Sequence, residues 1–371
     1  MIIGVVGLGT MGLGIAQVFA TAGHEVIATD ALAEARRTAP ERLQAALATR
    51  IAKGALSQAE GAAILARLTV ADGPGSFARA GLVIEAVAER LEVKRALFAE
   101  LEAVVAPLAV LATNTSSLSV AALAEGMRRP ERLVGLHFFN PPAAMKLVEL
   151  IGHPGSAEAA LTLARNATEG AGKTVVECPD RPGFIVNRCA RPFYGEALAL
   201  LEEGRSPAEI DAAMVAAGYR LGPFALIDLV GADINLAATE GLHAAMGGHP
   251  RYHVFAALHR QVAEGRLGRK SGQGFVFPAS PGPTPTDAGA IALRIEATLA
   301  NEAAWLLSEG GATTDGIDTA LRLGLNFPRG PFEILSSHGP ATILTELARL
   351  EAAAPAHLRG RYRPAPFLEA A

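Results

Sequence analysis

The chain opens on "MIIGVVGLGTMGLGIAQVFATAG", where the spacing of hydrophobic positions changes part way along. Residues 1–9 are almost continuously apolar and end in glycines, the pattern of a short buried strand. "GIAQVFATAGH" then carries apolar residues at helical spacing and is stopped by Gly23. "EVIATD" reads as a second strand. Residues 33–68 predict two helices, "AEARRTAPERLQAALATRIAKGAL" and "SQAEGAAILARL". Ser57 and Glu60 form an S-x-x-E capping box for the second. The apolar runs "GLVIEAVAE", "AVLATNTSSL", "RLVGLH" and "KLVELIG" predict further strands, so the amino-terminal part reads as a doubly wound α/β sheet.

Beyond it the pattern becomes helical. "CPDRPGFIVNR" is a Pro-rich hinge into "FIVNRCARPFYGEALALLEEG", a helix in which Pro192 predicts a kink or a fresh start. "FPASPGPTPTDAGA", from Phe277 to Ala290, predicts an extended linker. After it the helical pattern returns. "GEALALLEEGRSPAEIDAAMVAAGYRLGPFALIDLVG" aligns with "NEAAWLLSEGGATTDGIDTALRLGLNFPRGPFEILSSHG", pairing Glu196 with Glu302, Asp211 with Asp318 and Pro223 with Pro331. The offsets of 106, 107 and 108 mark an internal repeat with single-residue insertions. The expected domains are 1–181, 182–277 and 291–371, with 278–290 as linker. The second copy has no "GFIVNR", so a structural role is expected for it.

Composition narrows the function. Half of the 371 residues are hydrophobic, 19% are charged and the net charge is −4. That argues against a nucleic-acid or anionic-membrane binder, whose footprint is basic. The uncharged first 23 residues lack a basic leader and are broken by glycines, which favours a strand–turn–helix over a signal peptide or a membrane span. Two cysteines, Cys178 and Cys189, exclude a disulfide framework and fit a reducing cytoplasm. The histidines have no convincing metal-ligand spacing with acids or cysteines, so no metal is expected.

Between the first strand and helix lies Gly7-Leu8-Gly9-Thr10-Met11-Gly12, a G-x-G-x-x-G fingerprint. Gly7 makes a tight turn, a side chain at position 9 would block a pyrophosphate, and Gly12 lets the helix pack on the strand. The helix N-terminus then faces the anion. Asp30 closes the second strand, where its carboxylate accepts from the adenosine ribose and repels a 2′-phosphate, so NAD is expected rather than NADP. FAD proteins share the fingerprint, but nothing else in the chain supports a flavin. Glu89, Lys94, Asn114 and Ser116 fall just after strand ends, on the crevice side of such a sheet. Ser116 and Ser117 are also candidate caps for the helix "SVAALAEGM". The cation-rich stretch Arg36, Arg37, Arg42, Arg50 and Lys53 is either a solvated face or a site for a phosphorylated handle.

"LHFFNPPAAMKLVEL" places His137 and Glu149 on two strands joined by a turn that Pro141 and Pro142 enforce. Two strands so joined can set the pair side by side. A carboxylate holding one imidazole nitrogen makes the other a better base.

On "GLGTMG", "IEAVAERLEVK", "TNTSSL", "GLHFFNPPAAMKLVEL", "RPGFIVNR", "GYRLGPFALIDLVG" and "GRKSGQGF", covering residues 1 to about 277, the chain resembles the L-3-hydroxyacyl-CoA dehydrogenase family. The resemblance implies a Rossmann-type α/β domain followed by helical domains like the carboxyl-terminal part of 6-phosphogluconate dehydrogenase, here repeated. It implies reversible oxidation of (3S)-3-hydroxyacyl-CoA to 3-ketoacyl-CoA with NAD, as in β-oxidation of fatty acids. His137 would be the base and Glu149 its partner. Ser116, Asn140 and Asn187 match family positions that contact substrate or position the histidine; Glu89, Lys94 and Asn114 match cofactor contacts; Lys53 falls where the family meets the CoA handle. The repeat and the tail "RYRPAPFLEAA" resemble the phenylacetate-degradation members, in which a second helical copy could take the place of a dimer partner. The expectation is an intramolecular pseudo-dimer, open to further homo-oligomerisation. Two other readings stand beside it: a dehydrogenase of free hydroxy acids related to the lens crystallins, and a catalytically silent NAD-binding protein.

Overall fold

The computed structural model of the chain describes residues 1–279 and 282–369, which fall into two compact units, Met1–Arg181 and Pro182–Ala371. No helix among the described residues is long and apolar enough to cross a membrane.

The first unit is built on eight strands: β1 (Ile2–Val6), β2 (Glu25–Thr29), β3 (Leu68–Val70), β4 (Leu82–Glu85), β5 (Val110–Thr113), β6 (Leu133–Phe138), β7 (Leu147–Gly152) and β8 (Thr174–Pro179). Their order is β3-β2-β1-β4-β5-β6-β7-β8. Every neighbouring pair is parallel except β6–β7, which is antiparallel. The helices are α1 (Thr10–Thr21), α2 (Ala33–Ala52), α3 (Gln58–Ala66), α4 (Leu91–Val104), α5 (Val120–Ala124) and α6 (Glu158–Gly170). All residues of β4, β5 and β6 are buried, which is why they read as unbroken apolar runs rather than alternating ones. Ile3, Val5, Phe19, Leu82, Ile84 and Leu136 are in the core between sheet and helices.

The predicted capping box forms at α3, with Ser57 and Glu60 each bonding the other's backbone N–H. Helix α5 corrects one expectation. Its cap is Ser119, not Ser116 or Ser117; Ser119 Oγ accepts from Ala122 N at 3.2 Å. Asp180 reinforces this end by accepting from Val120 N at 2.9 Å and Ala121 N at 2.7 Å. A helix N-terminus has several orphan donors, and the distant acid satisfies those the hydroxyl cannot.

The second unit is helical: α7 (Val186–Cys189), α8 (Arg191–Glu202), α9 (Pro207–Ala216), α10 (Pro223–Val230), α11 (Ala232–Ala245), α12 (Ala256–Ala263), α13 (Ala288–Ser308), α14 (Thr314–Leu325), α15 (Pro331–His338), α16 (Pro340–Ala353) and α17 (Pro366–Glu369). The predicted break falls at Ala190, and Pro192 stands in the first turn of α8, where its missing N–H costs nothing. Helix α13 starts at Ala288, inside the stretch expected to be linker. Positions 280 and 281 of that linker lie outside the described residues.

The repeat explains "GPF" in both copies. Asp211 accepts from Phe224 N at 2.9 Å and Ala225 N at 2.8 Å, capping α10. Asp318 does the same for α15, through Phe332 N at 2.8 Å and Glu333 N at 3.1 Å. A Cβ on Gly222 or Gly330 would come within 2.3 Å of the capping aspartate, so only glycine lets the acid close on the helix end.

The copies also face each other reciprocally. Arg188 pairs with Glu302 at 2.8 Å and with Glu309 at 2.6 Å. Arg294, 106 residues on from Arg188, pairs with Glu196 at 2.8 Å and Glu203 at 2.6 Å. Tyr252 donates to Glu302 at 2.5 Å, and its counterpart Tyr362 to Glu196 at 2.9 Å. Arg188, Arg294, Glu196 and Glu302 are almost wholly buried, so each depends on its partners, while Glu203 and Glu309 reach toward solvent. Arg294→Met, which strands Glu196 in the core with half its cations, should destabilise the chain by about 3–5 kcal/mol in chemical denaturation; a loss under about 1 kcal/mol would mean the network contributes little.

Candidate active site

The glycine-rich turn separates packing from ligand space. Gly7 has φ 98°, a left-handed conformation, and a Cβ there would meet Ala86 O at 2.4 Å. A Cβ on Gly12 would lie 1.7 Å from Gly7 O. A Cβ on Gly9 would meet nothing within 4 Å. So Gly7 and Gly12 close the strand–helix corner, while Gly9 borders open space, as room for a pyrophosphate requires. Thr10 and Met11 begin α1, whose N-terminus has no side-chain cap. Its N–H groups suit an anion.

Asp30 is held in place by Leu8 N, which donates to Oδ2 at 2.7 Å, and Leu32 N, which donates to Oδ1 at 2.8 Å. Each oxygen keeps a lone pair for a ribose hydroxyl. A cavity of about 570 Å³ opens here, bordered by Gly7, Gly9 and Asp30 on one side and by Val87, Val93 and Leu97 on another. An acid at one end of an apolar slot fits an adenosine with two free ribose hydroxyls, so the residues present fit NAD. Arg36 braces the rim by donating to Asp30 O at 2.6 Å. The sequence reading had not assigned it there.

The crevice ends of β4 and β5 are organised around Glu89. Its Oε1 accepts from Thr115 Oγ1 at 2.6 Å, Ser116 N at 2.8 Å and Ser117 N at 3.1 Å. Its Oε2 meets Lys94 Nζ at 2.9 Å, and Lys94 also meets Glu85 Oε1 at 2.9 Å. Burial pushes the Glu89 carboxyl up, but the Lys94 ammonium and the Thr115 and Ser116 donors outweigh it and bring it down to about 2. Lys94 is 1% exposed, so it acts on the crevice through Glu89. Glu85 and Thr115, both fully buried, complete the cluster. Sequence reasoning gave neither Glu85 nor Thr115 a role; an acid closing an apolar run with a cation nine residues on was the available signal for Glu85.

His137 and Glu149 are direct cross-strand partners in β6 and β7. Nδ1 of His137 lies 2.6 Å from Oε2 of Glu149, a carboxylate with no exposure, while the imidazole is 8% exposed. Asn114 Oδ1 accepts from Phe138 N at 2.8 Å, tying the end of β5 to the residue after His137. That bond uses the amide oxygen and leaves the N–H₂ as the donor end of the side chain. Asn140 is exposed in the turn that follows. Lys53 is exposed at the C-cap of α2 and joins none of these clusters. Asn187 belongs to the second unit, half-buried in α7. Just before it, Gly183 and Phe184 are both left-handed, with φ of 75° and 48°. For phenylalanine that is strain of about 1–3 kcal/mol, which surrounding structure must hold. No group of three or more His, Cys, Asp or Glu able to hold a metal occurs among the described residues.

Asp30→Ala should lower the preference for NAD over NADP, as the ratio of kcat/KM values, by about tenfold or more. Unchanged discrimination would remove Asp30 from the ribose.

Comparison with known proteins agrees with this geometry. Residues 2–181 match the family model "3-hydroxyacyl-CoA dehydrogenase, NAD binding domain", and residues 183–277 and 289–371 match "3-hydroxyacyl-CoA dehydrogenase, C-terminal domain". A 3-hydroxyadipyl-CoA dehydrogenase of Escherichia coli (strain K12) is 44% identical over 274 residues, 73% of this chain and 58% of that protein. The mitochondrial hydroxyacyl-coenzyme A dehydrogenase of Sus scrofa is 38% identical over 279 residues, 73% of this chain and 89% of that protein. A crystal structure of 3-hydroxybutyryl-CoA dehydrogenase from Escherichia coli K12 substr. MG1655 has a TM-score of 0.93 at 33% identity, covering 100% of this chain and 98% of that one. These matches bear out the expected fold class, NAD as cofactor and the enzyme class. The chain belongs to the 3-hydroxyacyl-CoA dehydrogenase family.

Proposed function

We propose that the chain oxidises (3S)-3-hydroxyacyl-CoA esters to 3-ketoacyl-CoA, reversibly, with His137 as the base. One observation carries the reading: the 2.6 Å contact between His137 Nδ1 and Glu149 Oε2. The carboxylate holds the proton on Nδ1, so Nε2 presents its lone pair and takes the hydroxyl proton. As the ring becomes positive, the same carboxylate stabilises it. NAD, held at Gly9, the N-terminus of α1 and Asp30, would supply the hydride acceptor for C3. Ser116, on the loop that Glu89 fixes, hydrogen-bonds the substrate oxygen, and Asn140 and Asn187 help position substrate and histidine. Lys53 meets the CoA handle.

The relatives' names support acyl groups that include 3-hydroxybutyryl and 3-hydroxyadipyl. The reciprocal pairs Arg188–Glu302 and Arg294–Glu196 support a pseudo-dimer within one chain, because an isologous contact has this form: residue i meets j and j meets i. Such an arrangement leaves further homo-oligomerisation open. The two buried cysteines are consistent with a reducing cytoplasm.

His137→Gln should reduce kcat with 3-hydroxybutyryl-CoA by about 10²–10⁴-fold and leave the Kd for NADH within about threefold. Equal loss of NADH affinity would assign His137 a structural role. Activity on free 3-hydroxy acids matching that on CoA esters would reject the thioester substrate.

A further inference from the structure

The proposed reaction does not use a cavity of about 390 Å³ in the second unit, between the loop after α9 and the loop after α14. Its walls are apolar: Leu221, Leu226, Leu229, Leu325 and Phe327. Two guanidinium groups, Arg220 and Arg269, also line it, and no carboxylate does. Arg269 is steadied over Phe277, 6.0 Å from the ring centroid. Elsewhere in this unit the arginines that cross between the repeats, Arg188, Arg294, Arg251 and Arg361, each face a glutamate. The two cavity arginines face apolar side chains, an amide and a phenol instead.

The duplication supplies an internal control. Tyr219–Leu221 and Leu325–Phe327 occupy matching places in the two repeats, each between the capping aspartate and its "GPF". If the cavity were only the seam of a folded pair, both loops could carry the same residues. One brings Tyr-Arg-Leu and the other Leu-Asn-Phe. Arg269 comes from "GRKSGQGF", which has no copy in the second repeat. Leu229, 48% exposed, aligns with Ser337 at the offset of 108 that pairs Pro223 with Pro331. Both arginines are exposed, so the cavity opens to solvent with Leu229 and the two guanidinium groups along it.

We propose that this cavity binds an apolar chain ending in a carboxylate, with the chain against the leucines and Phe327 and the carboxylate on Arg220 and Arg269. Guanidinium is the group that takes a planar carboxylate through paired N–H donors. The occupant is a free carboxylic acid, separate from the acyl-CoA of the first unit. The proposal is independent of the proposed function.

The test uses the full chain, Arg220→Gln and Arg269→Gln. Hexanoate and hexan-1-ol are titrated calorimetrically, and kcat/KM is measured with 3-hydroxyadipyl-CoA and 3-hydroxyhexanoyl-CoA. A fall of the adipyl-to-hexanoyl ratio in both variants would assign the arginines to the acyl-CoA and overturn the free-acid reading. If a free acid is the occupant, the ratio holds while hexanoate binds, hexan-1-ol does not, and both variants weaken hexanoate about tenfold. A constant ratio with no hexanoate binding, or hexan-1-ol binding as well as hexanoate, overturns the proposal. Loss of turnover on both esters in the unaltered chain would instead count against the dehydrogenase reading and leave the hexanoate arm to decide the cavity.

Discussion

The structure of the site depends on one antiparallel strand pair in an otherwise parallel neighbourhood. Strand β7 reverses against β6, and that reversal sets Glu149 directly opposite His137. A parallel partner would need a crossover and could not return the acid within twelve residues of the histidine. Burying a carboxylate with no exposure is costly unless a donor meets it, and the imidazole N–H does so at 2.6 Å. The same contact fixes the ring's tautomer. One pairing therefore accounts for the buried acid, the orientation of the proposed base and the apolar run around them.

A second buried acid works on a different scale. Glu85, Lys94 and Glu89 form a chain of charge from the core to the crevice. It ends in a carboxylate that gathers Thr115, Ser116 and Ser117. The loop that carries Ser116 is thereby held from below by ionic contacts and from the side by Asn114, whose carbonyl takes the Phe138 amide. Rigid support of this kind would hold the groups proposed to face substrate within the tolerance that proton and hydride transfer demand.

How far the sequence showed this depended on how local each cause was. Gly12 was legible because its constraint is steric and local, a Cβ there meeting Gly7 O, and Gly7 because its turn is left-handed. His137 and Glu149 were legible because the two prolines of the turn fix a hairpin between them. Strand β3 was missed: three residues, Leu68–Val70, are too few to show a period. Ser119 was passed over as the α5 cap in favour of Ser116 and Ser117, because Asp180, which completes that helix end, stands 61 residues from Ser119. Thr115 was missed because its partner Glu89 is 26 residues away. The repeat was visible as a pattern, but the crossing of Arg188 to Glu302, over 114 residues, was not. Non-local ionic pairs leave no spacing to read.

The most direct measurement of the central claim is the ¹⁵N spectrum of the His137 ring in the NADH-bound protein, at a pH where the ring is neutral. The account predicts the proton on Nδ1 and a bare Nε2, with that preference lost in Glu149→Gln. A ring protonated on Nε2, or a tautomer indifferent to Glu149, would contradict it.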